Sequence, residues 1–303
     1  MDQCIQLWLT KKSEHTNSAE TQRAYTSTIT QFRAALQAAG LDLTSDATIV
    51  ALAAHGWARG GQDGQAHSAS TYNQRLAILS SLYRYAMTWG LCMSNPIDLI
   101  ERKPRNYPDA AEPMEAKDIA ARLQGIDRAT HEGKRNFALL TVGVTTGRRV
   151  NELAAMRWRH ITVSASALTV IFPHCKGGKV MRDELTPKTA KALMAYLRSI
   201  YGERLEEIKA DSPIWISFSR NNRGGAISDQ AIANICKDVL GTSKVHTLRH
   251  SFTVSMDDAG ASIYEISERL GHADVKTTSL YLKRLRSAKN PYASKLEDMF
   301  GID

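Results

Sequence analysis

Two segments near the C-terminus decide the fold. Residues 246–252 read HTLRHSF, and residues 270–283 read LGHADVKTTSLYLK. In the first segment, His246 and Arg249 are three residues apart, so a helix would place both side chains on one face. In the second, His272 follows Leu-Gly and Tyr281 lies among apolar neighbours. Each segment alone is a weak signal, because a tyrosine in such a setting usually belongs to a core or its rim.

Two earlier segments strengthen the signal. Residues 145–153 read TTGRRVNEL, and residues 174–182 read HCKGGKVMR. An arginine and a glutamate three residues apart on a helix usually form a surface ion pair, and a lysine beside Gly-Gly is usually a solvated turn residue. The order and spacing of all four segments together are much more specific than any one of them.

Together the four segments resemble the tyrosine recombinase (phage integrase) family, and especially its bacterial Xer-like members. The resemblance covers nearly all of residues 113–303 and is fainter before them, where it rests on helical organisation. It implies a mostly α fold with a small antiparallel β-sheet (α+β), in which a helical N-terminal core-binding domain precedes a catalytic domain.

The resemblance implies a role for individual residues. The family's first arginine corresponds to Arg149, which follows glycine at the second position, and Glu152 is its acidic partner. Arg148 stands where the family usually has an apolar residue, and Asn151 where it usually has serine, so which arginine acts stays open. The other implied catalytic residues are Lys176, His246, Arg249, His272 and Tyr281.

The implied chemistry is attack by Tyr281 on a DNA phosphate, which gives a 3′-phosphotyrosine and a free 5′ hydroxyl. Two arginines suit this reaction because their planar, permanently charged forks can hold the nonbridging oxygens and favour the more highly charged transition state. Lys176 would protonate the departing 5′ oxygen. His246 or another group would take the tyrosine proton, and His272 would orient a phosphate oxygen. The scheme needs no metal and no cofactor.

The chain divides by pattern into two domains and a linker. Residues 1–100 are predicted to be helical, with a capping-box sequence at 17–20 and helices up to Gly40, at 47–57 and from Ser70 to Gly90. Residues 101–112 are rich in charge and proline, which is typical of a linker. Residues 113–303 would form the catalytic domain.

The second domain mixes helices and strands. Helices are predicted at 137–144 and 149–158, and a β-hairpin at 167–172 and 180–185, followed by three or four more helices. The resemblance implies that a C-terminal helix docks on a neighbouring protomer, although packing on its own domain is equally consistent with the spacing. Its apolar residues are Leu296, Met299 and Phe300.

Composition favours a DNA partner. The net charge is +8, and residues 1–112 hold ten basic and ten acidic residues, so the whole excess lies in residues 113–303. The tightest phosphate contacts are therefore expected in the second domain. Candidate DNA-binding residues are Arg23, Thr26, Gln74, Arg75, Lys283 and Arg284. The first four fit ordinary exposed helix positions better than DNA contacts, and the last two fit a solvated face equally well.

The composition also indicates where in the cell the protein is expected to be. The four cysteines are far apart and form no Cys-x-x-Cys pair, which argues against a zinc module or a disulfide framework. No stretch has the length and apolarity of a signal peptide or a membrane span. A cytoplasmic, nucleoid-associated enzyme with no membrane partner is expected.

Three other activities fit the sequence less well. His246 and His250 have the spacing of a metal hydrolase's histidine pair, but Thr247 stands where the general-base glutamate is needed. A non-catalytic DNA-binding protein of the same fold would have lost a catalytic position, and all are filled here. A type IB topoisomerase uses similar chemistry, but the two-domain size and the motif order favour recombination.

The biological role is less determined than the chemistry. Integration or excision of a mobile element, or its resolution, at a simple core site is favoured over Xer-type chromosome-dimer resolution. No arm-binding domain fits before residue 17, which argues against a large phage integrase that binds two kinds of DNA site. The family implies a homo-tetramer on double-stranded DNA, or a pseudo-tetramer with a second recombinase.

Overall fold

The computed structural model describes residues 1–16, 19–60, 66–104, 113–164, 167–175, 179–272, 278–279 and 299. The chain forms two compact units, Met1–Asp109 and Ala110–Asp303. Each has its own apolar core, and the two are described separately. No described helix combines the length and apolarity that crossing a bilayer requires.

The first unit is helical, as predicted. Its helices are α1 (Asp2–Thr16), α2 (Ala19–Ala38), α3 (Ala47–Arg59) and α4 (Ala69–Thr88), followed by a 3-10 turn at Pro96–Leu99. Side chains of Asp46 and Ser68 cap α3 and α4, which explains why these two helices start close to the predicted positions. Residues 17 and 18 of the predicted capping box lie outside the described residues.

Helix α1 was not predicted individually. Its residues Trp8 and Ile5 are buried, and the Trp8 ring stacks on Tyr25 of α2 at 5.3 Å. Leu7 remains 46% exposed. The helix is therefore stabilised by packing on α2 and α4 rather than by a strong apolar stripe of its own.

The second unit is mostly helical with one small sheet, which confirms the predicted fold class. The sheet is antiparallel with the order β1-β2-β3, and four α-helices follow it in the described part of the chain. Its elements are α5 (Ala116–Gln124), α6 (His131–Thr146), α7 (Val150–Ala154), β1 (Ile161–Val163), β2 (Leu168–Cys175), β3 (Lys179–Leu185), α8 (Pro187–Tyr201), α9 (Asp229–Leu240), α10 (His246–Asp258) and α11 (Ile263–Leu270).

The predicted helix at 149–158 was too long. Only α7 is helical, and the chain after it pairs with a distant segment: Ile214 donates to the carbonyl of Met156, and Trp158 donates to the carbonyl of Ser212. Met156 is buried in the domain core. Tertiary pairing thus satisfies backbone groups that a longer helix would have used, and overrides the local helical pattern.

The core of the second unit holds the site in place. Helices α6 and α8 pack side by side, with Leu139, Val142 and Leu193 fully buried between them and the sheet. Tyr196 stacks on Trp215 at 5.6 Å. Because α6 is anchored along its length, the turn that follows it has a fixed starting point.

Candidate active site

The turn after α6 presents Arg149. Gly147 ends the helix with φ +63°, a left-handed conformation that favours glycine. Arg149 then caps α7, and the Glu152 carboxylate accepts hydrogen bonds from its backbone N–H (2.9 Å) and from its Nη1 (2.8 Å). The Glu152 side chain is 1% exposed and that of Arg149 is 19% exposed. Glu152 therefore fixes the arginine while leaving part of the guanidinium open.

Gly147 offers a direct test of this turn. A Cβ at this position would overlap the ring of Phe252 as well as sit in a left-handed backbone conformation. We expect Gly147→Ala to lower the free energy of unfolding by about 2–4 kcal/mol, the sum of backbone strain and overpacking. Gly260→Ala is the matched control, because Gly260 has φ +89° with open space around it. Urea unfolding of both variants checks this, and equal losses would contradict it.

The neighbouring arginine has a different environment. Arg148 Nε donates to Asp183 Oδ2 at 2.6 Å, and the two side chains are 1% and 6% exposed. The guanidinium also lies over the Phe172 ring at 5.2 Å. The charge of Arg148 is thus engaged inside the domain, whereas that of Arg149 reaches the surface.

Arg249 lies at the centre of the cluster. It is 6% exposed, and it donates from Nη1 to the carbonyl of Gly147 (2.8 Å) and from Nη2 to the carbonyl of Leu270 (2.6 Å). Burial, and then the nearby Arg149, lower its pKa to about 10. The guanidinium therefore stays charged at neutral pH while it joins the turn after α6 to the end of α11.

His272 is held by two contacts that define its tautomer. Its Nε2 lies 3.0 Å from Arg249 Nη2, and its Nδ1 lies 2.7 Å from Thr278 Oγ1. A guanidinium can only donate, so Nε2 is the acceptor in that contact. The proton of the neutral ring is then on Nδ1, where it is donated to the threonine hydroxyl.

His246 begins α10 and faces the same cations. Its ring is open to solvent on one side, but partial burial, and then Arg249 and Arg149, lower its pKa below the ordinary value. The imidazole is therefore neutral at physiological pH. A neutral imidazole beside two cations can accept a hydrogen bond or a proton from an incoming hydroxyl.

The sequence alone indicates His250 only as a possible metal ligand. Its ring centroid lies 6.1 Å from that of His246, and burial, followed by His246 and Arg249, lowers its pKa to about 3. In the described part of the chain, no three His, Cys, Asp or Glu side chains are grouped as metal ligands would be. His250 is thus a neutral group close to His246 and Arg249.

This depressed pKa predicts acid sensitivity. Above pH 6.5, the ordinary histidine value, the ring is neutral whether the chain is folded or unfolded. Below it, only the unfolded chain takes up the proton, so stability falls as the pH drops towards 3, by up to about 1.4 kcal/mol per pH unit. We expect His250→Gln to flatten the fall between pH 6 and 4, measured by urea unfolding. An unchanged pH profile would contradict this, and His67→Gln, at a partly exposed histidine of the first unit, is the control.

The strands flanking Lys176 are placed as predicted. Cys175 ends β2 and pairs with Lys179 at the start of β3, so the flanking positions fit a hairpin. Burial raises the pKa of the Cys175 thiol to about 11, so it remains protonated. Cys4, Cys92 and Cys236 are also free.

Several predicted residues lie outside the described residues. They are Lys176, Tyr281, Lys283, Arg284, Leu296 and Phe300. Met299 is described and exposed. The structure brings together Arg149, Glu152, His246, Arg249 and His272, and the roles of the undescribed residues remain predictions.

The DNA-binding candidates of the first unit differ in availability. Arg23, Thr26 and Gln74 are exposed. The Arg75 guanidinium instead lies 4.5 Å from the centre of the Trp57 ring and donates to the Trp57 carbonyl. Arg75 is therefore less available for a phosphate contact than Arg23, Thr26 and Gln74.

Sequence reasoning missed two groups near the site. Asp183 binds both Arg148 and Arg269, and Thr278, which is fully buried, binds His272. The one available signal was that Asp183 and Leu185 share a strand face, which puts a carboxylate on an apolar side. Nothing in the sequence indicated its partners.

An α+β unit that gathers two arginines and two histidines around one surface is suited to binding an anionic ester, and it follows a helical unit. The family model described as "Phage integrase family" matches residues 113–287, more than half of the chain. The chain belongs to the phage integrase family. Its Xer-like character and its class, site-specific DNA recombinase, are confirmed by the relatives and structures described next.

Two relatives match this chain over more residues than the second unit alone contains. Tyrosine recombinase XerC of Myxococcus xanthus is 31% identical, over 71% of this chain and 72% of the relative. Tyrosine recombinase XerD of Rhizobium meliloti (strain 1021) is 27% identical, over 72% of this chain and 71% of the relative. In both cases the match covers more than two thirds of this chain and more than two thirds of the relative.

Solved structures share the fold. XerH site-specific recombinase bound to a palindromic difH substrate, in a post-cleavage complex, matches with a TM-score of 0.66 and 20% identity, over 88% of this chain and 78% of that one. A lambda integrase dimer bound to a COC′ core site matches with a TM-score of 0.65 and 16% identity, over 93% and 76%. The predicted fold class is therefore confirmed.

Proposed function

We propose that this recombinase cleaves and rejoins duplex DNA through a 3′-phosphotyrosine bond to Tyr281. The observation that carries the proposal is the convergence of Arg149, Arg249 and His272. Arg249 contacts the His272 ring directly, and it donates to the carbonyl of Gly147, two residues before Arg149. Such a group presents fixed cationic donors to one anion, the arrangement that stabilises a phosphoryl-transfer transition state.

Arg149, rather than Arg148, is the first phosphate-binding arginine in this proposal. Its guanidinium is partly open, and its orientation is set by Glu152. Arg148 is committed to Asp183 inside the domain. Glu152 acts by positioning Arg149 rather than by touching DNA, because its carboxylate is buried and already accepts two hydrogen bonds.

The reaction balances without a metal or a cofactor. The Tyr281 oxygen attacks phosphorus, the bond from phosphorus to the 5′ oxygen breaks, and Lys176 gives that oxygen a proton. The tyrosine proton goes to His246, whose neutral ring faces the cluster, or to another base. A 5′ hydroxyl from a second strand then reverses the same steps, so the bond energy is retained.

The first unit is proposed to clamp the DNA. Residues 1–100 would form the core-binding domain, 101–112 the linker and 113–303 the catalytic domain, and Arg23, Gln74, Lys283 and Arg284 would contact phosphates. A homo-tetramer, or a pseudo-tetramer with a second recombinase, is the proposed assembly. A solved lambda integrase tetramer bound to a Holliday junction has the same fold, with a TM-score of 0.66.

The biological role proposed is integration, excision or resolution of a mobile element by a cytoplasmic, nucleoid-associated enzyme. Chromosome-dimer resolution is the second candidate, because the XerC and XerD relatives keep 27–31% identity. Sequencing of junctions in cells with and without the gene separates the two: a circular element junction supports the first, and persistent chromosome dimers support the second.

A covalent-trapping assay tests the chemistry. Purified full-length protein is mixed, in chelator, with nicked duplexes tiled from the DNA that flanks the gene, so that cleavage releases a short fragment and traps the adduct. The adduct is digested and the modified peptide is mapped by mass spectrometry. A 3′-phosphate on Tyr281 supports the proposal. Tight binding with no adduct on any fragment supports a non-catalytic DNA-binding protein.

A further inference from the structure

The carboxylate of Asp183 joins two segments that carry proposed catalytic residues. It lies on β3, with Arg148 Nε 2.6 Å from Oδ2 and Arg269 Nη1 3.3 Å from Oδ1. Arg148 precedes Arg149 in the chain, and Arg269 lies three residues before His272. One buried group is therefore bonded to side chains from both sides of the site.

Arg249 bridges the same two segments at the adjacent residues. Its guanidinium donates to the carbonyls of Gly147 and Leu270, which neighbour Arg148 and Arg269 in the chain. Two side chains therefore connect the same two segments. Arg249 donates hydrogen bonds to a backbone carbonyl of each, and Asp183 accepts a hydrogen bond from an arginine side chain of each. The second bridge involves no group assigned to the phosphate.

The geometry points to Asp183 as a positioning residue, which uses Arg148 and Arg269 to set the distance between Arg149 and His272. The pair with Arg148 is almost fully buried, with side chains 1% and 6% exposed, so its hydrogen bond is directional and weakly screened. Arg269 is 59% exposed, so its contact adds less. This inference rests on the proposed function, because it assumes that Arg149 and His272 bind the phosphate.

Burial of this ion pair is a reason to assign it a positioning role. Ion pairs inside proteins contribute little net stability, and apolar residues of similar volume often replace them without loss. In some proteins they instead fix one arrangement of the chain, and that is the role inferred for this pair. The β3 strand also approaches the second segment directly, through Lys179 Nζ, 3.4 Å from the carbonyl of His272.

The test uses a double variant, because Asp183→Asn alone leaves a buried arginine without its partner and endangers folding. Arg148→Met with Asp183→Leu removes both charges and keeps the volume apolar. Arg269→Ala removes only the exposed Arg269–Asp183 ion pair and leaves the buried pair with Arg148 in place. Arg198→Ala is the matched control, since it breaks an exposed ion pair with Glu203 in the same unit.

Two readouts separate positioning from folding. The first is the single-turnover rate of Tyr281 adduct formation at saturating nicked DNA, beside the Kd for the same duplex. We expect the double variant to melt within a few degrees of the parent and to bind DNA within about twofold, yet to form the adduct at least about tenfold more slowly; Arg269→Ala should be slowed about threefold.

The second readout needs no DNA. Amide hydrogen exchange in peptides covering 147–153 and 267–272 should be about tenfold faster in the double variant, with the α8 peptide unchanged. A folded double variant with parental cleavage and exchange overturns the proposal. If the parent itself forms no adduct, the proposed function fails, and the exchange result alone decides whether Asp183 braces the two segments.

Discussion

Tyr281→Phe is expected to abolish covalent capture of DNA. The substitution removes the phenolic oxygen that acts as the nucleophile in the proposed reaction, so the rate of adduct formation should fall by about 10⁴-fold or more. DNA binding should stay within about twofold of the parent, because the change removes no charge and little volume. The nicked-duplex assay, read beside a binding isotherm, measures both quantities on the same fragments.

Tyr264→Phe provides the control for this variant. Tyr264 lies on α11 in the same unit and is 72% exposed, so the loss of its hydroxyl should change neither binding nor cleavage. Persistence of an adduct in Tyr281→Phe would show that another residue is the nucleophile, and peptide mapping of that adduct would identify it. Loss of DNA binding together with the adduct would instead point to a structural role for the Tyr281 hydroxyl.

Local patterns were enough to predict most of the fold. Helices with strong caps, such as α3 behind Asp46 and α4 behind Ser68, have their start in the sequence itself. The pairing of β2 with β3 was predicted from two short runs, 167–172 and 180–185, on either side of a Gly-Gly pair in the sequence. Helix α1 lacked such a signal because it is held by partners elsewhere in the chain, and the segment after α7 was misjudged because its backbone bonds go to residues near 212–214.

In the candidate site, too, the sequence predicted contacts between neighbouring residues and missed contacts between distant ones. Glu152 and Arg149 are close in sequence, so their spacing predicted that they meet, and they do. Asp183 lies 35 residues from Arg148 and 86 from Arg269, and no local pattern encodes such contacts. The open choice between Arg148 and Arg149 needed the structure, because only burial and partners separate two adjacent arginines.

Arg249→Ala is expected to give the other large loss. The guanidinium is the link between the turn that carries Arg149 and the segment that carries His272, and it is one of the two cations proposed to hold the phosphate. Its removal should slow strand cleavage by about 10³-fold, the scale of losing a fixed transition-state donor. It should also lower the free energy of unfolding by about 1–3 kcal/mol, because the carbonyls of Gly147 and Leu270 lose their donor.

Arg249→Lys tests whether the positive charge alone is enough or whether the planar guanidinium is needed. Lysine keeps the cation but is a single-point donor on a flexible stem, so it cannot bond both carbonyls and a phosphate oxygen in one plane. We expect cleavage to recover by no more than about tenfold over the alanine variant. Single-turnover adduct formation and urea unfolding of both variants check this. Near-parental cleavage by the lysine variant would show that charge alone suffices, whereas near-parental cleavage by the alanine variant would remove Arg249 from the phosphate site.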